Sequence, residues 1–437
     1  MINFLFASTP LKYLVASFWR DEAFTALLAR HDIVPILKTT AADFNPPLYY
    51  ILLHMWMKLF GSGEVALRIP SLIFFWGTIY VTYLIFTDIL KLSTRKSYLY
   101  LLLFIANPFL NYYAFEARMY TMLAVIATIS FYFLYKKKKW AYFITALLGL
   151  YTHYFMLFVV AAQALYSLAI TPSKKRFKQL FLYVGIGICF APWAIFVFTQ
   201  NNLTGQSFWI INSFISNLIQ FPAILYTGYE DKAFVYKPEI LIALSIGLYL
   251  LLMQGLQYII SKRFNKDRNL FVLLYIWALG IPGFVLLFSF IKPIFLPRYL
   301  IFSAVGLIVL LVAIFERMSK EMRFVAIAIL IAITLHYNQE QLHERLKANM
   351  RDKIATVKQI AHPGDMIYVE DELNFHEAQY YFDEYHVYIY NRPYSDIAPY
   401  VGKVLIPEKY VTNTLPQFPR RAFVLDKYLN YQIESSL

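Results

Sequence analysis

Five short basic runs, at Lys91–Lys96, Lys136–Lys139, Lys174–Lys178, Lys262–Arg268 and Arg317–Arg323, punctuate a stretch that is otherwise strongly apolar from 66 to 337. Between consecutive runs lie pairs of apolar segments: 97–111 and 116–135, 140–152 and 154–170, 179–199 and 238–260, 269–291 and 298–315. Segment 66–90 precedes the first run and 322–337 follows the last. Basic loops stay in the cytoplasm, so the number of crossings between two such loops must be even, and each interval holds two. The tightest interval is 140–170, where one longer tilted helix competes with two short ones; only the pair keeps both basic flanks on one side. With 59% hydrophobic, 19% aromatic and 15% charged residues, a chain of 437 cannot bury all its apolar surface in one soluble core, and lipid must cover part of it. The net charge of +13 then reads as topology and attraction to anionic lipid, not as a nucleic-acid footprint. The lone Cys189 excludes an intrachain disulfide and a cysteine-based metal site.

Parity places the stretch ahead of position 66. Segment 66–90 runs from outside to inside, so Asp21, Glu22, Asn45 and Glu64 are external if Pro47–Phe60 does not cross. That segment would be roughly 21 Å long as a helix, short for a hydrocarbon core of about 30 Å and suited to the interface. If it crosses, the acidic pair moves to the cytoplasm. Met1–Phe18, interrupted by Pro10 and Lys12, reads neither as a span nor as a secretory signal.

Ionisable residues are scarce at mid-span, yet Arg68, Glu116, Arg118, Lys292 and Arg298 fall at span ends that parity assigns to the outer face, and His153 falls in an outer turn. Any one of them fits a helix end near headgroups. As a group that includes carboxylates, which the distribution of basic loops does not explain, they read as a site. Carboxylates and guanidinium groups at the lipid boundary suit a substrate with a phosphate at headgroup level and a long apolar tail, such as a lipid-phosphate sugar. Phosphate leaves readily once cations stabilise it, so the remaining need is a general base and an anionic partner for an oxocarbenium-like sugar. Asp21 reads as the base and Glu22 as its orienting neighbour, with Arg298, Lys292 and Arg118 as the phosphate clamp. An acidic pair by itself also fits a solvated helix start.

The segments Ser17-Phe18-Trp19-Arg20-Asp21-Glu22-Ala23-Phe24-Thr25, Asn45-Pro46-Pro47-Leu48-Tyr49-Tyr50, Phe60-Gly61 and Glu64-Val65-Ala66-Leu67-Arg68-Ile69-Pro70-Ser71 resemble polytopic transferases of the GT-C fold. Glu116-Ala117-Arg118-Met119-Tyr120, Tyr151-Thr152-His153-Tyr154-Phe155 and Leu296-Pro297-Arg298-Tyr299-Leu300 continue the likeness in the same order. It covers roughly residues 17–337, and the nearest families are the protein O-mannosyltransferases and the lipid A aminoarabinose transferase. The resemblance implies a mainly α, polytopic transmembrane bundle whose first external loop carries juxtamembrane helices, and transfer of a sugar from a polyprenyl-phosphate donor to a lipid, glycan or protein acceptor. It implies that Asp21, with Glu22 beside it, and Glu116 are catalytic, that Arg298 contacts the polyprenyl phosphate, and that Asn45, Tyr49, Arg68, Tyr120, His153 and Tyr299 line the cavity. Two departures stand out. Relatives often carry Lys or His where Asn45 stands, so that phosphate contact shifts to Arg118 or Lys292. They also have a complete first span ahead of the Trp-x-Asp-Glu segment, which here is either degenerate or preceded by a late start.

His153 with Asp21, Glu22 and Glu116 would make a divalent-cation site, as some relatives use, but the spacing is no metal motif, and a histidine hydrogen-bonded in a polar pocket is the better reading. The loop from Gln200 to Lys237, with Trp209, Tyr226 and Tyr229, is long and external, either a cover for the cavity or an aromatic belt. The chain thus divides into an N-terminal catalytic loop (1–65), a helical bundle (66–337) and a C-terminal α/β domain outside the membrane (338–437). In the last, Glu344–Ala361 and Phe375–Phe382 read as helices and Met366–Val369, Val387–Tyr390, Lys403–Ile406 and Ala422–Leu425 as strands. It has no glycine-rich phosphate loop. A transporter or flippase of lipid-linked sugars, or a noncatalytic binder, is the competing class; a transporter needs midplane polar groups and interrupted helices, for which only Pro192 and Pro282 are candidates.

Overall fold

The computed structural model describes residues 6, 8–200, 214–230, 236–260 and 267–436. Most of the basic run at Lys262–Arg268, and Trp209 in the external loop, lie outside the described residues.

Six helices are long and apolar enough to cross a bilayer: Glu64–Ile89, Ser173–Gln200, Pro238–Ile260, Arg268–Phe288, Pro297–Phe315 and Lys320–Glu344. Three shorter ones, Tyr120–Tyr135, Lys139–Leu150 and Met156–Ile170, complete the bundle, the last two being the pair expected between 140 and 170. The core is organised on Ile301–Phe315, buried on every side as an all-apolar helix must be. Gly306 lets Trp277 lie directly on it, since a Cβ there would meet the indole at 2.7 Å, and Trp277 stacks on Phe131 at 4.4 Å. At the periphery, Ser173–Gln200 buries only Ile186, Phe190, Trp193 and Val197, leaving a lipid-facing surface that includes Phe181, Ile188 and Ile195.

The expected span 97–111 is instead two helices, Thr94–Ile105 and Pro108–Ala114. The break has a local cause. Asn107 caps the second helix by accepting from Leu110 N–H at 3.0 Å, Pro108 at its first position needs no donor, and the Asn107 amide donates to the Tyr226 carbonyl at 2.8 Å. Pro192 sits inside a continuous helix, whereas Pro282 follows a π-turn at Ile276–Gly280 that absorbs its missing donor. The final bundle helix runs on past position 337 to Glu344.

The basic loops gather at one end, joined by ion pairs from Lys96 to Glu316 at 2.6 Å, Lys136 to Asp88 at 3.2 Å and Arg317 to Asp267 at 2.6 Å. At the other end the helices Arg20–Arg30, Ile33–Ala42 and Leu48–Phe60 precede the first span, behind a single turn at Leu11–Val15. The last of these buries Tyr49, Tyr50, Leu53 and His54 while Met55, Leu59 and Phe60 stay exposed, and Trp56 donates to the Ala66 carbonyl at 2.8 Å. The helix is thus amphipathic, with an exposed apolar face of the kind that suits a membrane interface.

The C-terminal domain lies outside the bundle and holds a five-stranded sheet of order β3-β2-β1-β4-β5, with β1 Met366–Val369, β2 Val387–Tyr390, β3 Val411–Thr412, β4 Ala422–Leu425 and β5 Tyr431–Glu434. The first four are parallel and β5 is antiparallel to β4. Strands β3 and β5 are additional to the expected ones, and two expected elements differ. Lys403–Leu405 is a 3-10 turn, not a strand: Leu405 packs outward on the N-terminal helices, Val404 is exposed, and neither joins a ladder. The helix expected at Glu344–Ala361 begins only at Met350, because the preceding helix ends at Glu344 and Asn349 caps a new one. Helix Phe375–Tyr381 packs on Arg20–Arg30, with His376 and Phe24 edge to face at 5.5 Å. Gly402, at φ +82, fits between them where a Cβ would meet Phe24 at 2.6 Å.

Candidate active site

Asp21 and Glu22 open a helix whose N-terminal dipole favours anions, but adjacent helical residues point about 100° apart, so the two carboxylates face different surroundings. Glu22 turns inward. Its Oε1 accepts from Arg68 Nε at 2.7 Å and Ala117 N–H at 2.9 Å, and its Oε2 from Arg68 Nη2 at 2.7 Å and Lys347 Nζ at 2.7 Å. Glu22 and Arg68 are both fully buried, and Arg68 also donates to the carbonyls of Leu14 and Ala16. With its lone-pair sites occupied, Glu22 ties the acidic helix, the first span and the chain after the last span into one joint.

Asp21 turns toward a cavity of about 510 Å³ at the end of the bundle opposite the basic loops. The N-terminal helix supplies Arg20 and Asp21 to its wall, the following turn Asp43, Phe44 and Asn45, and the bundle turns Arg118, His153, Arg298 and Tyr299. The C-terminal domain closes it with Tyr394 and the stretch from Pro399 to Val404. Arg20 Nε lies 3.1 Å from Asp21 Oδ1. Arg118 Nη1 donates to Thr25 Oγ1 at 2.9 Å and the Tyr50 hydroxyl at 3.2 Å, and reaches the Asp21 carbonyl at 3.5 Å. Arg298 Nη2 stands 3.6 Å from Glu230 Oε2, with its guanidinium 5.7 Å from the Trp19 ring. Burial alone would raise the Asp21 carboxyl, but Arg20, Arg118 and Arg298 outweigh it and hold it at about 2. His153 accepts the Phe155 N–H on Nδ1 at 3.1 Å, and burial, with Arg118 nearby, pushes it down to about 3, so it is neutral.

The residues expected in the site therefore divide. Asp21, Asn45, Arg118, His153, Arg298 and Tyr299 share the cavity. Glu22 and Arg68 are in the sealed joint behind it. Tyr49 is fully buried, its hydroxyl 3.4 Å from Ser71, and Tyr120 stands behind the wall, its ring 6.3 Å from Tyr299. Lys292 is exposed beyond the rim and lines no part of it. Glu116 is buried, its carboxylate oxygens without a hydrogen-bond partner among the described residues; burial raises its pKa against the pull of Lys347. Among the described residues no group of three or more His, Cys, Asp or Glu is placed to hold a metal ion; Glu22 is consumed by its cations and His153 by the Phe155 amide, so the set His153, Asp21, Glu22 and Glu116 does not form.

Sequence reasoning missed Arg20, Asp43, Lys347 and the C-terminal stretch 399–404. Asp43, just ahead of the paired prolines, was visible as an acid at a helix end; the others join from distances that no local pattern encodes.

Residues 45–197 match the sequence family described as dolichyl-phosphate-mannose-protein mannosyltransferase, a match that begins at Asn45 and so omits the acidic helix. No curated protein matches the chain in sequence. Two solved structures of ArnT from Cupriavidus metallidurans share the fold. The apo form superposes with a TM-score of 0.63 at 13% identity, covering 94% of this chain and 88% of ArnT. The form bound to undecaprenyl phosphate gives 0.62 at 13% identity, covering 97% and 93%. By fold over nearly its whole length, and by the sequence of residues 45–197, this chain resembles the GT-C superfamily of ArnT and the protein mannosyltransferases.

Proposed function

We propose that this chain is an integral membrane glycosyltransferase that takes a sugar from a polyprenyl-phosphate donor and passes it to an acceptor on the extracytoplasmic face, with Asp21 receiving the acceptor proton. One observation carries the reading: Arg20, Arg118 and Arg298 converge with the Asp21 carboxylate in a single cavity at the end of the bundle away from the basic loops. Guanidinium groups suit a lipid phosphate, with apolar neighbours such as Phe155 and Ile294 for the rest of the donor. The undecaprenyl phosphate of the ArnT complex is a ligand of that chemistry. The preference of basic loops for the cytoplasm supports an extracytoplasmic cavity and C-terminal domain.

In this reaction the acceptor oxygen attacks the anomeric carbon while the bond from that carbon to the phosphate oxygen breaks, its electron pair leaving with the phosphate. Arg298 and Arg118 stabilise the developing anion, and Arg298 exchanges its contact with Glu230 for the phosphate. Asp21, held ionised, hydrogen-bonds the acceptor hydroxyl and offsets positive charge on the sugar. Tyr394, Tyr400 and Lys403 line the cavity on the side of the C-terminal domain.

The test uses proteoliposomes and a panel of polyprenyl-phosphate sugars labelled in the sugar, with membrane lipids, glycans and proteins as acceptors. Label should leave the polyprenyl phosphate, and Asp21→Asn should abolish transfer while donor binding persists. A transporter or flippase would instead move label across the bilayer unchanged, with or without Asp21.

A further inference from the structure

Asp43 ends helix Ile33–Ala42, its N–H bonded to the Thr39 carbonyl at 2.8 Å, and lines the same cavity as Asp21. Its side chain is set by Asn45, whose Nδ2 donates to Oδ2 at 2.6 Å and to the Asp43 carbonyl at 3.3 Å. A neutral amide fixes the position of a carboxyl without fixing its charge. Every element around it contributes a titratable group: Arg20 and Asp21 from the acidic helix, Tyr50 from the juxtamembrane helix, Arg118 and His153 from the bundle turns, Lys403 from the C-terminal domain. Neither arginine binds it. Arg20 is on Asp21, Arg118 is on Thr25 and Tyr50, and no salt bridge reaches Asp43 among the described residues. Burial pushes its carboxyl up to about 7, against Asn45 and Arg118, while its neighbour Asp21 stays near 2. Two carboxyls in one cavity with affinities this far apart divide the work of acid and base. A group that titrates near 2 polarises a hydroxyl but cannot retain its proton at neutral pH; one near 7 can.

We propose that Asp43 is the terminal proton acceptor of the transfer, Asp21 contacting the acceptor hydroxyl and Asp43 receiving its proton through the cavity. This rests on the glycosyl-transfer reading above. As the acceptor oxygen bonds the anomeric carbon and the phosphate leaves with the electron pair of the broken bond, the hydroxyl proton passes by way of Asp21 to ionised Asp43. Asp43 gives it to water after the products depart.

The experiment compares full-length wild type with Asp43→Asn, Asp43→Glu and Asp21→Asn in proteoliposomes, using the labelled donor that wild type turns over. Wild-type kcat should rise with pH along an acid limb near neutrality. Asp43→Asn should lower kcat at pH 7 by about 10²–10⁴-fold and erase that limb, with donor KM little changed. Asp43→Glu should restore part of kcat with a displaced limb, a rescue that a merely structural role would not give. Infrared difference spectra should show a protonated-carboxyl band titrating near neutrality that is lost in Asp43→Asn and kept in Asp21→Asn. If transfer depends on Asp21 but Asp43→Asn keeps the wild-type rate and limb, the leaving phosphate takes the proton and this inference alone is wrong. If wild type transfers sugar from no donor, the reaction is wrong and the inference falls with it.

Discussion

Replacing Glu22 by Gln separates a joint of the fold from the chemistry beside it. Glu22 is fully buried and accepts four hydrogen bonds, three of them from the cations Arg68 and Lys347. Burial opposes its charge, but Arg68 and Lys347 more than compensate and hold the carboxyl below the usual glutamate range. A glutamine keeps the shape and one acceptor oxygen, yet leaves two buried cations facing a neutral amide that also presents donors. Removing one member of a buried ion pair costs about 3–5 kcal/mol, because the remaining charge is stranded. At roughly 2 °C per kcal/mol for a large chain, Tm should fall by about 6–10 °C. The assay is thermal unfolding of detergent-purified protein followed by intrinsic fluorescence, with Asp21→Asn alongside. Asp21 lies on the cavity wall with one ion pair, to Arg20, and not in the joint, so its variant should lose transfer and lower Tm by less than Glu22→Gln. The pH dependence has a definite sign: a folded pKa below the unfolded one gives stability that is complete above the ordinary glutamate range and is lost as pH falls through it toward the folded value. Wild type should therefore lose this increment on acidification and Glu22→Gln should not. A Glu22→Gln protein that melts with wild type would refute the joint as described.

Arg298→Ala and Arg118→Ala should each weaken binding of undecaprenyl phosphate by about 10–100-fold, the worth of a charge-assisted hydrogen bond, while Lys292→Ala outside the rim changes it little; competition against labelled donor measures all three. Glu116→Gln should be neutral at acid pH and relatively stabilising at alkaline pH: a buried carboxyl with raised pKa binds its proton more tightly when folded, so its ionisation costs stability as pH rises above the ordinary glutamate range, a slope that melting curves across pH will show the variant to lack. Gly402→Ala should cost about 1–3 kcal/mol, because its φ of +82 disfavours a Cβ and that atom would strike Phe24 at 2.6 Å and His376 at 2.8 Å; faster limited proteolysis of the C-terminal domain is the readout.

The spans were legible because they depend on one-dimensional properties: an apolar run long enough for lipid, bounded by basic loops. That logic located the pair at 140–170 and the short helix ahead of the first span. It gave the extent of β1, β2 and β4, whose residues are apolar for their place in a sheet. It failed at Lys403–Leu405, where a similar apolar stretch serves an interface between domains, and at Asn107, where a cap and a proline break an apolar run that hydropathy alone reads as continuous. In the site, charge type and rough depth were readable, so Asp21, Arg118 and Arg298 were found. Direction was not. Whether Glu22 shares the cavity with Asp21 or is sealed behind it depends on Arg68 and Lys347 arriving from 46 and 325 residues away in the chain. The same holds for the stretch 399–404 closing the cavity, and for Asp43, whose proton affinity is set by what covers it and by where Arg20 and Arg118 spend their hydrogen bonds. Sequence determined which segments are apolar enough for the bilayer, because transfer free energies sum along a chain. Only tertiary structure decided which charge meets which, because electrostatic energy depends on separation in space.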